Sequence, residues 1–179
     1  MAQILLTSEA FVKNITNISD NIDGKYLLSA IREAQDIRLK EIIGTALLDK
    51  LKAVVADRDI NKPECIHYKT LVDQCQYYLA YQTLAELPMK ISYKLTNLGA
   101  VRTTDEKAQS ISQDEIAKVQ YYYQSKADFY AHELQAFLLR HSSEYPELNA
   151  NNCYAIRKNL HSAATCGLWL GGVRGKKSL

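Results

Sequence analysis

A long amphipathic stretch between residues 112 and 141 constrains the fold of this 179-residue chain more than any other part of its sequence. It begins with Ser112-Gln113-Asp114-Glu115, a capping box in which the first and last residues can satisfy each other's backbone amides. Side chains suited to a buried face then recur mostly at steps of three and four: Ile116, Val119, Tyr123, Ala127, Tyr130, Leu134, Phe137, Leu138 and His141. At about 1.5 Å per residue, this pattern predicts one helix of roughly 43 Å over 112–140. A single small bundle hardly needs that length, so we expect one end to project or to pack on another subunit.

Two shorter helices are predicted near the N-terminus. Thr7 is a plausible N-cap of the first, and its buried side is expected at Ala10, Phe11 and Ile15. The second follows the polar stretch 20–23 and ends at Gly44, since glycine readily adopts the left-handed conformation that closes helices. Its buried side is expected at Leu27, Ala30, Ile31, Ala34 and either Ile37 or Arg38.

Two further helices are predicted in the middle of the chain. Thr45 can cap one that runs to about Val55. Pro63 suits the first turn of the next, because a proline there loses no needed hydrogen bond, and Pro88 is expected to end or kink it. Residues 92–110 are mostly polar with little periodicity, which predicts an extended loop or a short β-hairpin around 94–102.

Together these patterns predict an all-α protein. We expect a bundle of about five helices with one long C-terminal helix, an extended loop or short hairpin near 92–110, and a mostly irregular C-terminal arm. The chain contains only 7 glycines and 3 prolines, which argues against a many-stranded β architecture. We divide it into a helical domain over 1–146 and an extended arm over 147–179.

Motifs for catalysis are absent from the sequence. It contains no glycine-rich nucleotide loop, no metalloprotease or nucleophile-elbow motif and no paired CxxC among its 4 cysteines. The 4 histidines show no metal-binding spacing of their own. No signal peptide is visible, and the most apolar run near the C-terminus, 163–173, is about half the length of a membrane span. We therefore expect a soluble protein that is not an enzyme and has no cofactor, metal or membrane partner.

Tyrosine is the most distinctive residue type, with 12 copies against 3 phenylalanines and 1 tryptophan. Tyr77, Tyr78 and Tyr81 cluster in one predicted helix, and residues 121–123 are three consecutive tyrosines in another. Adjacent helical residues lie about 100° apart, so these side chains cannot all face one core. They fit packing within the chain, a protein interface or, less well because few basic residues lie nearby, base stacking on nucleic acid. The interface candidates are Tyr77, Tyr81, Tyr121 and Tyr122.

The net charge of +2 hides an uneven distribution. Residues 1–150 hold 17 basic and 20 acidic side chains, a net of −3, whereas residues 151–179 hold five basic side chains and no acidic one. Within this basic stretch the only tryptophan stands between two leucines, with glycines on both sides. It fits either a disordered tail or an arm that folds on docking to a neighbouring protein. The candidate docking residues are Leu168, Trp169, Leu170, Arg174, Lys176 and Lys177.

Several segments, taken in order, resemble the small helical head-to-tail connector, or adaptor, proteins of tailed bacteriophages. The resemblance is to the ring proteins below the portal in crAss-like phages and related phages of Bacteroidales. It covers roughly residues 4–148 and ends with the long helix near Tyr145-Pro146. It is carried by LLTSEAFVK at 5–13, IREAQ at 31–35, IGTALL at 43–48, YYLAYQTLA at 77–85 and LTNLGAV at 95–101.

This resemblance implies a structural virion protein at the capsid-tail junction, made in the bacterial host cytoplasm. Such proteins assemble as rings, commonly of twelve copies, on the portal protein and provide a docking surface for the tail or further ring proteins. DNA passes through their lumen without sequence-specific binding, and the family has no catalytic residues to carry over. The alternative from the residues themselves is a helical nucleic-acid-binding accessory protein that uses its basic C-terminal arm.

Overall fold

Seven α-helices and one β-hairpin make up the described part of the chain, which comprises residues 4–16, 18–96, 99–102 and 112–150 of a computed structural model. The helices are α1 (Glu9–Ile15), α2 (Gly24–Glu33), α3 (Lys40–Ile43), α4 (Thr45–Ala56), α5 (Ile66–Ser92), α6 (Gln113–Arg140) and α7 (Glu147–Ala150), and the strands are β1 (Tyr93–Thr96) and β2 (Gly99–Arg102). Short 3-10 turns cover Asp59–Asn61, Pro63–Cys65 and Ser142–Glu144. Five helices have seven or more residues and two are single turns. The predicted all-α bundle of about five helices with one long helix is confirmed.

Helices α5 and α6 lie side by side and antiparallel. The Gln82 and Gln124 side chains hydrogen-bond to each other, and Nε2 of the Gln120 side chain donates to the Ala85 carbonyl at 3.3 Å. The 28 residues of α6 are matched by the 27 residues of α5. The length of α6 therefore gives no reason to expect a projecting end, because the chain supplies a partner helix of nearly equal length. Packing of α6 on another subunit stays a prediction.

Helices α2 and α3 are joined by a π-helical segment, Ala34–Leu39, whose wider turns hold extra residues. This segment shifts the buried side of the helix relative to the predicted one. Ile37 is 53% exposed and Arg38 is also exposed, whereas Gln35 and Leu39 are fully buried. The prediction of a buried Ile37 or Arg38 was wrong because it assumed a regular α-helical period. Gly44, at φ 83°, ends the helix as predicted.

Two N-caps lie one residue away from their predicted positions. Ser8, not Thr7, caps α1, because its Oγ accepts a hydrogen bond from the Phe11 amide at 3.2 Å. Gly44, not Thr45, is the N-cap of α4. The positive φ of Gly44 turns the chain directly from α3 into α4. The buried side of α1 is also shifted: Val12 is fully buried and Ala10 is exposed.

Helix α5 continues for four residues beyond Pro88, so of the two expected effects of this proline, an end of the helix is excluded. A proline in a helix interior costs about 3 kcal/mol through a missing hydrogen bond and a steric clash. Leu84 and Leu87 are both buried on the same stretch of helix, where they pack with α2. Burial of two such side chains contributes about 1.5–3 kcal/mol each, which offsets the cost of the proline.

A short antiparallel hairpin follows α5 directly. Strand β1 pairs with β2 in a register that joins Tyr93 to Arg102 and Thr96 to Gly99. Of the two structures expected for this region, the hairpin is the correct one. Residues 97–98 and 103–111 of the expected loop lie outside the described residues.

Buried side chains form two clusters along α5. The larger one joins α3, α4, the first half of α5 and the second half of α6 through leucines such as Leu47, Leu51, Leu71, Leu79 and Leu134. The smaller one joins α1 and α2 to the second half of α5. The two long helices therefore share a core with every shorter helix around them.

Helix α7 extends the packed body past residue 146, where the predicted helical domain ends. Tyr145 is fully buried and Leu148 belongs to the same large cluster. The Tyr68 hydroxyl donates to Oε1 of Glu147 at 2.8 Å, which joins α7 to the start of α5. The remainder of the predicted arm, 151–179, lies outside the described residues.

The predicted capping box at the start of α6 is confirmed and yields a first test. The Glu115 amide donates to Ser112 Oγ at 3.2 Å, and the Ser112 amide donates to the Glu115 carboxylate at 2.7 Å. We expect Ser112→Ala to lower the free energy of unfolding by about 1 kcal/mol at pH 7, as measured by urea denaturation.

The same box has a pH dependence of known sign. Hydrogen bonds from the Ser112 backbone and then its side chain lower the pKa of the Glu115 carboxyl. A carboxyl whose pKa is lowered by folding stabilises the protein above its unfolded pKa, and this contribution is lost as the pH falls through the folded pKa. The effect of Ser112→Ala should therefore shrink at pH 3, and an equal loss at both pH values would contradict the box.

Candidate interaction surface

Two columns of aromatic side chains meet where α5 and α6 pack against each other. Tyr77 and Tyr81 lie one turn apart on α5, and Tyr122, Lys126 and Tyr130 lie at successive turns on α6. Because the two helices are antiparallel, the columns run past each other on one side of the pair. The structure thus places three of the four predicted interface tyrosines close together.

Ring stacking links the two columns. The Tyr130 ring stacks on Tyr81, with centroids 5.2 Å apart and planes at 6°, and on Tyr77 at 5.8 Å and 16°. Phe11 of α1 meets the edge of Tyr77 at 5.7 Å, and Phe129 meets the edge of Tyr130 at 5.4 Å. These offset and edge-on arrangements are favourable for aromatic pairs and hold the rings in place.

Lys126 lies over two of the tyrosine rings. Its Nζ is 4.4 Å from the centroid of Tyr122 and 5.5 Å from that of Tyr81, which is cation–π geometry. None of the ion pairs found in the described residues includes Lys126. The ammonium group therefore connects Tyr122 to the stacked rings. We call this group the aromatic surface; it comprises Phe11, Tyr77, Tyr81, Tyr122, Lys126, Phe129 and Tyr130.

Several rings of the aromatic surface face solvent. Tyr77 is 42% exposed, Tyr122 is 54% exposed and Phe129 is 60% exposed. Single exposed apolar residues are common on protein surfaces, but a contiguous group of large rings marks an interaction site. Tyrosine and phenylalanine are enriched at the centres of protein interfaces. The surface therefore fits contact with another protein.

A small hollow lies beside the aromatic surface, with a volume of about 120 Å³. It is lined by Ile15, Thr16, Tyr81, Tyr122, Tyr123 and Lys126. Pockets for drug-sized ligands run from about 300 to 1,000 Å³. The hollow is thus too small for such a molecule and has the size of a side-chain pocket.

Tyr121, the fourth predicted interface tyrosine, lies apart from this group. Its side chain is 78% exposed, and it points about 100° around α6 from Tyr122. Within the described residues, no ring contact involves it. The predicted docking residues Leu168, Trp169, Leu170, Arg174, Lys176 and Lys177 lie outside the described residues.

Sequence reasoning missed four members of the aromatic surface. Tyr130 was assigned to the buried side of α6, while Phe11, Lys126 and Phe129 were not connected with the tyrosines. A spacing of four between Tyr122, Lys126 and Tyr130 was the available signal for the α6 column. No local signal connects Phe11 with Tyr77, because they are 66 positions apart in the sequence.

Three buried or half-buried ionisable groups lie in the core instead of on the aromatic surface. Burial raises the pKa of the Cys75 thiol and of the Tyr78 hydroxyl, which keeps both neutral. Burial and the hydrogen bond to Glu147 raise the pKa of Tyr68. Across the described ranges, no three His, Cys, Asp or Glu side chains are grouped so that they could hold a metal ion. None of the described helices is long and apolar enough to cross a membrane.

Residues 39–158 match DUF6712, a family of unknown function. The chain belongs to the DUF6712 family. The matched region includes all of α5 and α6, and so it contains every member of the aromatic surface except Phe11. Trp169 and the cations that follow it lie beyond the match. No curated protein and no solved structure matches this DUF6712 chain.

Proposed function

We propose that this protein is a structural connector of a tailed-bacteriophage virion. In this proposal about twelve copies form a ring beneath the portal, join the capsid to the tail and let DNA pass, without catalysis. The observation that carries the proposal is the aromatic surface, which presents large exposed rings to a partner protein. The resemblance of residues 4–148 to phage adaptor proteins supports the same assignment.

The aromatic surface suits an interface between copies because its rings are already ordered. Association costs about 0.5–1.5 kcal/mol for each mobile side chain that becomes fixed. Tyr77, Tyr81 and Tyr130 are stacked on one another before any partner binds, and Tyr122 is held by Lys126. Their burial in a contact would therefore bring little further ordering cost.

The shape of the bundle also suits a protein that joins two different partners. The hairpin lies at one end of the α5–α6 pair, and α7 lies at the other, beside Tyr68. From Tyr68 to Ser92 the axis of α5 is roughly 36 Å long. Each end can face a different neighbour in the virion, with portal on one side and tail or a further ring on the other.

The charge of the helical body supports passage of DNA without tight binding. Residues 1–150 carry a net charge of −3. Proteins that hold DNA do so mainly by neutralising its phosphates with lysine and arginine. A mildly acidic body avoids that attraction in a lumen.

Electron microscopy of the full chain mixed with the portal protein of the same phage tests the proposal. We expect a ring on the portal, and the mass of the assembled complex gives its copy number. The double variant Tyr77→Ala/Tyr122→Ala should reduce ring occupancy at least tenfold while its circular dichroism stays unchanged. Tyr121→Ala is the matched control, because it removes an exposed tyrosine outside the aromatic surface and should leave occupancy within twofold.

Two results would contradict the connector proposal. One is wild-type protein that forms neither a ring nor a portal contact. The other is DNA binding that falls steeply with salt and disappears when residues 151–179 are deleted, which indicates the nucleic-acid-binding accessory protein instead.

A further inference from the structure

The segment that precedes the C-terminal arm packs against the same helix that carries Tyr122, Lys126 and Tyr130. The ring of Tyr145 lies 6.3 Å from that of Phe137, and α7 ends at Ala150 shortly after it. Phe137 stands seven residues after Tyr130, so both lie on the same side of α6 at a separation of about 10 Å. Tyr145, five residues before the end of α7, therefore packs about two helical turns along α6 from the stacked rings.

The arm is much longer than a contact with its own aromatic surface requires. Seventeen residues separate Ala150 from Leu168 in the sequence. At about 3.3 Å per residue, such a segment spans up to about 56 Å, several times the separation of about 10 Å between Phe137 and Tyr130 along α6. The surplus length matches a span to a neighbouring copy of the chain.

The chemistry of the arm complements the aromatic surface. Trp169 and its two leucines are the apolar residues expected to pack on tyrosine rings. Asp73 is exposed one turn before Tyr77, and Glu133 is exposed one turn after Phe129. Neither carboxylate belongs to an ion pair found in the described residues. Both carboxylates can pair with cations, and residues 151–179 carry five basic side chains and no acidic one.

We propose that the segment Leu168-Trp169-Leu170 of one copy binds the aromatic surface of the next copy, with the cations after Trp169 near Asp73 and Glu133. The inference rests on the proposed ring and identifies the partner of the aromatic surface within it. Each copy then contributes one arm and one acceptor surface. This is a heterologous contact, which closes into a ring when the rotation between copies allows it.

Photo-crosslinking between isotopically distinct copies tests this contact in the full chain. Unlabelled protein carries benzoylphenylalanine in place of Tyr122, an exchange that keeps an aromatic ring at the position, and is assembled with ¹⁵N-labelled wild-type protein. We expect cross-links from position 122 to the labelled tryptic peptide 159–174, which contains Trp169. The same cross-linker in place of Tyr121 is the matched control and should give at least fivefold fewer.

Four outcomes distinguish this contact from the proposed ring. Cross-links confined to unlabelled chains, or equal yields from positions 121 and 122, overturn the contact between copies. Rings that form normally with Trp169→Ala also overturn it, although the connector function then stands. The contact is supported when cross-links between copies fall at least fivefold with Trp169→Ala but persist with Trp169→Phe. This result supports the contact even where electron microscopy finds no ring on the portal.

Discussion

Replacement of Tyr145 by alanine is expected to lower the free energy of unfolding by about 3–5 kcal/mol, the range found when large aromatic side chains are removed from protein cores. Tyr145 is fully buried, and its hydroxyl donates to the His67 carbonyl at 2.8 Å. Its ring lies 6.0 Å from that of Tyr68. The alanine variant leaves a cavity between α5, α6 and α7 and an unpaired carbonyl, so α7 should lose its anchor.

Urea denaturation followed by circular dichroism measures this loss. Tyr145→Phe keeps the ring and removes only the hydrogen bond, so it should cost about 1 kcal/mol. Tyr121→Ala is an exposed control and should stay within about 0.5 kcal/mol of wild type. A loss below 1 kcal/mol for Tyr145→Ala would show that α7 does not depend on this side chain.

Burial also gives Tyr145 a pH signature. It raises the pKa of the hydroxyl to about 12, above its ordinary value of 10.0. As the pH rises, the Tyr145 hydroxyl loses its proton in the unfolded chain before it does so in the folded protein. The stability that Tyr145 contributes is therefore complete below pH 10 and is lost as the pH rises toward 12. Tyr145→Phe should therefore lose less stability than wild type over that interval.

The second large effect is expected for Gln35→Leu, in the π-helical segment. Gln35 is fully buried; its Oε1 accepts from the Leu6 amide at 2.8 Å and its Nε2 donates to the Ile4 carbonyl at 3.0 Å. Leucine fills a similar space but leaves both backbone groups without this partner. An unpaired buried polar group costs about 1–3 kcal/mol, so the loss of both partners is expected to cost about 2–6 kcal/mol.

Hydrogen exchange gives this prediction a local readout. The Leu6 amide should exchange faster in Gln35→Leu even under conditions where the bundle remains folded. Gln76→Leu is the matched control. It removes a single hydrogen bond, from Gln76 Nε2 to the Leu6 carbonyl at 3.0 Å, and keeps the hydrogen bond that the Leu6 amide donates to Gln35. Unchanged protection of the Leu6 amide in Gln35→Leu would contradict the role given to Gln35.

Two features of the fold that depend on neighbouring residues were predicted correctly, although two N-caps were placed one residue away. The Ser112–Glu115 capping box and the end of a helix at Gly44 are local arrangements, and both are present. Helix α6 spans 113–140, almost the stretch that the periodicity indicates. These features follow from hydrogen bonds and backbone conformations within one or two turns, which the residue order records directly.

Features that depend on distant residues were missed. Gln35 hydrogen-bonds to backbone groups 29 and 31 positions away. Because these partners are distant in the sequence, no nearby residue indicates the π-helical segment. The fully buried Tyr145 bonds to His67, 78 positions earlier, although the sequence marks only a break at Tyr145-Pro146. Helix α5 passes through Pro88 because α2 packs against it.

The candidate site shows the same division between local pattern and tertiary contact. An excess of tyrosines and their placement on two helices were sufficient to nominate Tyr77, Tyr81 and Tyr122 as surface residues. These tyrosines form one surface only because α5 and α6 pack antiparallel. That packing brings together side chains 49 positions apart, such as Tyr81 and Tyr130. The same packing leaves Tyr121 on another side of α6.

The amino-acid order alone predicted an all-α chain with one long helix over 112–140, and it contains surplus tyrosines and a basic stretch around the only tryptophan. Helical period and capping chemistry act over a few residues, so they can be read without coordinates. Only the tertiary structure decided which tyrosines stack, which glutamine holds the N-terminal segment and where the packed body ends. Those outcomes depend on the burial of side chains from separate helices, and that burial is settled only when the helices pack.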